Sequence, residues 1–145
     1  IRDRPWDHHG DLVNRMNTIC GMVDQPSKAL IVDLLRRGLL DEVLVIWAGE
    51  FGRTPFSQGS NGREHNPYGY SVRLAGGGEK GGTDYGATDE LGLWATKDRL
   101  HVHDLHATVL HLLGIHNLDL IYHYKGRPEN PTINEGEAYK EITMG

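Results

Sequence analysis

The chain has 145 residues, 38% of them hydrophobic, with 19 glycines and a net charge of −5 when histidine is neutral. That length fits one domain with a real core, and the acidic balance disfavours a nucleic-acid partner. Cys20 is the single cysteine, which excludes an internal disulfide and a cysteine-built zinc site, and no apolar run reaches the roughly 20 residues of a membrane-spanning helix.

Residues 1–10 read as the end of a strand followed by a loop. Within it, Trp6-Asp7-His8-His9-Gly10 sets one carboxylate and two imidazoles side by side. In extended backbone Asp7 and His9 share a face and His8 points the other way. Asp and His are the usual ligands of divalent metals in hydrolases; a solvated polar loop is the alternative reading. The pattern from Asp11 to Leu40 predicts helix in two pieces. Asp11 caps the first, which carries Leu12, Val13, Met16 and Ile19, and Gly21 marks the break. Asp24 caps the second, with Pro26 in its first turn. Ala29, Leu30, Ile31, Leu34 and Leu35 form its apolar stripe, and Arg36, Arg37 and Gly38 suit its end.

Residues 43–48 are an unbroken apolar run, the habit of a parallel strand buried on both faces. Helix followed by buried strand is half of a parallel crossover. Gly49 ends the run, and Glu50, Arg53 and Thr54 follow. Ligands of open α/β sheets sit beyond the carboxyl ends of the strands, so Glu50 is a candidate for chemistry. Capping a helix or pairing with Arg53 would explain it equally. Residues 57–62 carry loop chemistry, and Arg63-Glu64-His65 follows. Residues 70–75 are a short strand candidate. The glycine run at 76–82 lacks the helix start and Lys-Ser/Thr ending of a phosphate-binding loop. It reads as a flexible hairpin or a loop edging the site. Residues 100–102 suggest a brief strand. Asp104 is the expected cap of a helix through Leu113, whose Leu105, Val109 and Leu112 side packs on the sheet and whose stop is Gly114. His106 is expected to stay outside any ligand set. From Lys125 onward the tail has no period and reads as loop, with a short helix at 136–142.

These segments resemble the DUF1501 family, bacterial proteins of sulfatase-like, alkaline-phosphatase-type fold. The resemblance rests on Trp6-Asp7-His8-His9, Gly49-Glu50-Phe51-Gly52-Arg53-Thr54-Pro55, Gly62-Arg63-Glu64-His65, Gly86-Ala87-Thr88-Asp89-Glu90, Asp104-Leu105-His106-Ala107-Thr108 and Gly126-Arg127-Pro128. It implies that residues 1–145 are the C-terminal half of one such domain. The implied fold class is α/β, an alkaline-phosphatase-like α/β/α sandwich, of which this stretch carries a partial mixed or parallel sheet. The superfamily holds two divalent ions, zinc or another, across the ends of its sheet. Its order of ligands falls here on Asp7, His9 and His65 for one ion and on Glu50 for the other, with Arg53 meeting the anionic oxygens of the substrate.

The sequence departs from that pattern in three places. Glu50-Phe51 stands where the superfamily has Asp-His, Glu64 stands where the family often has Asp, and the Ser or Thr nucleophile belongs to the N-terminal half. The resemblance implies a metal-dependent hydrolase of small anionic phosphate or sulfate esters, periplasmic or secreted. A non-catalytic binding or assembly module derived from the same fold is the alternative, and a polar loop network without metal is the third reading.

Overall fold

The computed structural model describes residues 5–133 and 135–144. The strand end expected at the start of the chain falls on residues 1–4 and lies outside them. The described residues form a mixed α/β chain. Its helices are α1 (Leu12–Arg36) and α2 (Val102–Leu112), with a 3-10 turn at Lys140–Ile142. Its strands are β1 (Val45–Trp47), β2 (Gly52–Arg53), β3 (His65–Asn66), β4 (Arg73–Ala75), β5 (Ala87–Thr88), β6 (Ala95–Lys97), β7 (Tyr122–Tyr124) and β8 (Arg127–Glu129).

α1 is one helix, not two. The half-buried positions Leu12, Met16, Ile19, Cys20, Val23, Ser27, Ile31 and Leu34 recur every three or four residues without a change of phase. That continuous stripe outweighs Gly21, and it carries Pro26 in the helix interior. Asp11 precedes the helix with φ 50°, and its carboxylate makes no capping bond to the backbone. The expected end is found: Gly38 N donates to Leu35 O at 3.1 Å and Leu39 N to Leu34 O at 2.9 Å, the paired bonds of a Schellman turn. Gly38 supplies the positive φ that this turn demands.

The strands pair as four two-stranded antiparallel ribbons, β1–β4, β2–β3, β5–β6 and β7–β8. The parallel or mixed sheet expected around residues 43–48 is therefore corrected. β1 runs against β4, with Val45 opposite Ala75 and Trp47 opposite Arg73. Ile46 is 42% and Trp47 48% exposed. The apolar run signals a strand that prefers cover, but it carries no information on which strand will pair with it. α1 does not supply that cover, because Leu30 and Leu35 are themselves exposed. The glycine run also has another role than edging a site. A Cβ on Gly76 would meet Leu40 O at 2.2 Å and Val43 O at 2.5 Å, so the run lets backbone pass close beneath the α1–β1 connection.

α2 starts two residues before the expected cap. His101 is the N-cap and Asp104 stands at the third helical position, where its Oδ2 accepts from His101 N at 2.7 Å. This capping box displaces the brief strand expected at 100–102. α2 buries Ala107 and Thr108, and Thr108 Oγ1 accepts from Tyr139 N at 3.0 Å. The helix thus docks on the C-terminal segment rather than on a sheet. That segment is also more ordered than its sequence period predicts. Lys125 and Gly126 both take positive φ, 49° and 79°, the two-residue turn that joins twisted strands β7 and β8.

Candidate metal centre

Two nested ribbons build the site. β2 and β3 pair inside the connection between β1 and β4, with Arg53 opposite His65. The loop between them closes on itself through Gln58 and Gly62, each donating to the other's carbonyl at 2.9–3.0 Å. Thr54, buried, anchors the base: its N donates to Glu64 O, and its Oγ1 accepts from Glu64 N. The same loop zips onto the N-terminal segment. Arg63 N donates to His8 O at 3.0 Å, Leu12 N to Asn61 O at 3.3 Å, and Asp11 N to Asn61 Oδ1 at 2.8 Å. Gly62 permits this approach, since a Cβ there would lie 2.1 Å from His9 O.

The backbone bonds bring side chains from distant positions to one oxygen. Asp7 Oδ1 lies 2.8 Å from His9 Nε2, 2.9 Å from His65 Nε2 and 2.9 Å from Arg53 NH2. One ligand atom each from Asp7, His9 and His65 falls within 4.8 Å of the others. Arg53 is tied down further by donating to Trp6 O at 3.0 Å. His8 stands outside the cluster, on a turn in which its N donates to Trp6 O at 3.2 Å. It is buried, with Nε2 2.6 Å from Pro5 O.

Hydrogen bonds from His65 and then Arg53 hold the Asp7 carboxyl far below the usual carboxylate range. The bond to Gln58 and the nearby Asp7 charge raise His9 above the ordinary imidazole value. Phe51 stacks on the His65 ring, with centroids 4.3 Å apart.

The structure thus gathers Asp7, His9, His65 and Arg53. Glu50 is exposed and stands outside the cluster, and among the described residues no second group of three or more metal-binding side chains forms. His106 is likewise outside it. Sequence reasoning missed two neighbours. Gln58 Oε1 lies 2.5 Å from His9 Nδ1, and Gln58 Nε2 donates to Glu64 Oε2 at 2.7 Å. Gln58 sits in an unpatterned loop and gave no signal, whereas Glu64 was visible only as its stretch's departure from the family's Asp.

Fold and site together define a mixed α/β protein with a carboxylate–imidazole cluster suited to a divalent cation. The chain belongs to DUF1501, a family described as protein of unknown function, whose model matches residues 1–143. No curated protein and no solved structure matches it.

Proposed function

We propose that Asp7, His9 and His65 hold a divalent metal ion, zinc or another, and that the protein hydrolyses phosphate or sulfate esters. The observation that carries this reading is the convergence of three ligand atoms within 4.8 Å. Zinc bonds to nitrogen and oxygen are about 2.0–2.2 Å, so ligand atoms of one site lie about 3–4 Å apart. Asp7 Oδ1 already stands 2.8 Å from His9 Nε2 and 2.9 Å from His65 Nε2. Three protein ligands leave a further position open, the habit of catalytic rather than structural zinc.

The ion supplies Lewis acidity toward an ester oxygen. Arg53 holds Asp7 in place and ionised. Its guanidinium has five N–H groups, enough to keep donors for an anionic substrate oxygen beyond those spent on Asp7 and Trp6. Glu50 belongs to a second ion in this reading. Its remaining ligands and the Ser or Thr nucleophile come from the N-terminal half of an alkaline-phosphatase-like α/β/α sandwich. The uncovered apolar side chains Ile46, Trp47, Leu30 and Leu35 support such a covering layer. Export to the periplasm or beyond follows the same resemblance.

One observation favours the alternative, a non-catalytic binding or assembly module. Phe51 occupies the position where the superfamily places an imidazole, and it packs on His65 instead. Full-length protein separates the readings. Metal bound in stoichiometric amount, with turnover of aryl phosphates or aryl sulfates, supports the hydrolase. Bound metal without turnover of either panel supports the module, and absence of bound metal after reconstitution overturns both metal-based forms.

A further inference from the structure

A box of polar side chains locks the base of the β7–β8 ribbon. Asn117, buried, donates from Nδ2 to Thr132 Oγ1 at 2.9 Å and to Gly136 O at 3.1 Å. Asn130 Oδ1 accepts from Thr132 N at 2.8 Å and from Thr132 Oγ1 at 2.7 Å. Beyond this fixed base, residues 118–128 are all exposed. They include Leu120 at 40%, Ile121 at 55%, Tyr122 at 56% and Tyr124 at 55%. A two-stranded ribbon is marginal in water by itself, and apolar side chains gathered on one call for a partner.

The two edges of the ribbon differ. Its turn holds two residues, so Tyr124 and Arg127 form the hydrogen-bonded pair beside it. Alternation makes His123 and Pro128 the next, non-bonded pair, whose backbone groups point outward. On β8 that outward position is a proline, which has no N–H to give and so closes the edge. On β7 it is His123, and Ile121 has the same parity. Leu120, of the other parity, turns its carbonyl inward to accept from Asn130 Nδ2 at 3.4 Å. Among the described residues, neither the N–H nor the C=O of Ile121 or His123 takes part in a turn or loop hydrogen bond.

We propose that this open β7 edge pairs with β7 of a second copy of the chain, antiparallel about a two-fold axis at Tyr122. Self-complementarity decides the occupant, because a two-fold contact sets one patch on itself. In this register Leu120 lies opposite Tyr124 of the partner subunit, and Ile121 opposite His123 of the partner subunit. The outward N–H and C=O groups of both copies are then used, and aromatic and apolar side chains meet across the strands. Residues 120–124 carry no Asp, Glu, Lys or Arg. Asp119 before them and Lys125 after them bring opposite charges together when the strands run in opposite directions. A register centred on His123 sets imidazole on imidazole and leaves those charges unmatched.

The test uses full-length protein. Sedimentation should give twice the monomer mass, and hydrogen exchange should be slow at the amides of Ile121 and His123. Tyr122→Lys, which faces two ammonium groups across the axis, should weaken association about tenfold and speed exchange at both amides. His123→Pro should do the same by closing the edge as Pro128 closes that of β8. Should it fail to fold, Tyr122→Lys, at an exposed position, reads the same edge. Lys125→Asp, at a positive φ that Asp tolerates, should weaken the dimer, and adding Asp119→Lys should restore it. A monomeric wild type overturns the proposal, and slow amides in that monomer would show that the remainder of its own chain covers the edge. A dimer unmoved by Tyr122→Lys has its interface elsewhere and overturns the proposal as well, and a charge swap without rescue overturns the two-fold register.

Discussion

Asp7 Oδ1 lies 2.9 Å from His65 Nε2, although 58 residues separate the two in the chain. Side chains that polar meet at that distance only where backbone holds both, and here the bond from Arg63 N to His8 O does so. The metal reading needs both imidazoles. Replacing His9 and His65 with Ala together should reduce bound metal by more than the roughly 10–100-fold loss that accompanies removal of an outer hydrogen-bond partner. Elemental analysis of full-length protein checks it, and an unchanged stoichiometry would leave the convergence a coincidence of geometry.

Metal binding should tighten as pH rises. His9 is raised above its ordinary value of 6.5, so protons compete for its Nε2 to a higher pH than for a free imidazole. Affinity for zinc should increase as pH rises through that raised value and the proton leaves. In metal-free protein the sign reverses. The stabilisation from charged His9 is full below 6.5 and is lost as pH rises through its raised value. Asp7, depressed from 3.8, contributes above that value and loses its contribution as pH falls toward its lowered one. Titration calorimetry and thermal melts, each repeated across pH, read the two effects separately.

Gly62→Ala should damage the site without touching a ligand. The added Cβ would meet His9 O at 2.1 Å and His9 C at 2.2 Å, both backbone atoms that cannot swing aside. The N-terminal segment must shift, at a cost of about 1–3 kcal/mol in line with other overpacked positions. Chemical denaturation should show that loss, accompanied by weaker metal binding. Stability and affinity equal to the wild type would mean that the two segments are not in contact.

Asp104→Ala should destabilise α2 by about 0.5–1.5 kcal/mol, the usual net range for a lost hydrogen bond. Asp104 Oδ2 accepts from His101 N, and Oδ1 accepts from Glu137 N at 3.0 Å. The substitution therefore also frees the C-terminal segment. Because α2 contributes nothing to the cluster, metal affinity should stay at the wild-type level. A drop in affinity equal to that of the His9 and His65 double variant would show that α2 supports the site after all.

The sequence by itself determined the elements that depend on neighbours in the chain. Gly38 and Gly114 end their helices because a left-handed residue closes the last turn locally. The helix break expected at Gly21 failed because a stripe of half-buried residues, in phase over 25 positions, prevails over one weak helix former. What only the tertiary structure decided is pairing. Apolar residues 43–48 announce a strand but not its partner, and β4 comes to it antiparallel across a loop of irregular sequence. The candidate site has the same character. Asp7, His9 and His65 were legible as residue types, and the resemblance gave their order. Gln58 was not legible, and neither was the bond from Arg53 to Asp7. Hydrogen bonds act over about 3 Å, so which donors share one carboxylate oxygen depends on how the loop at 54–64 closes, a matter of geometry that no spacing along the chain records.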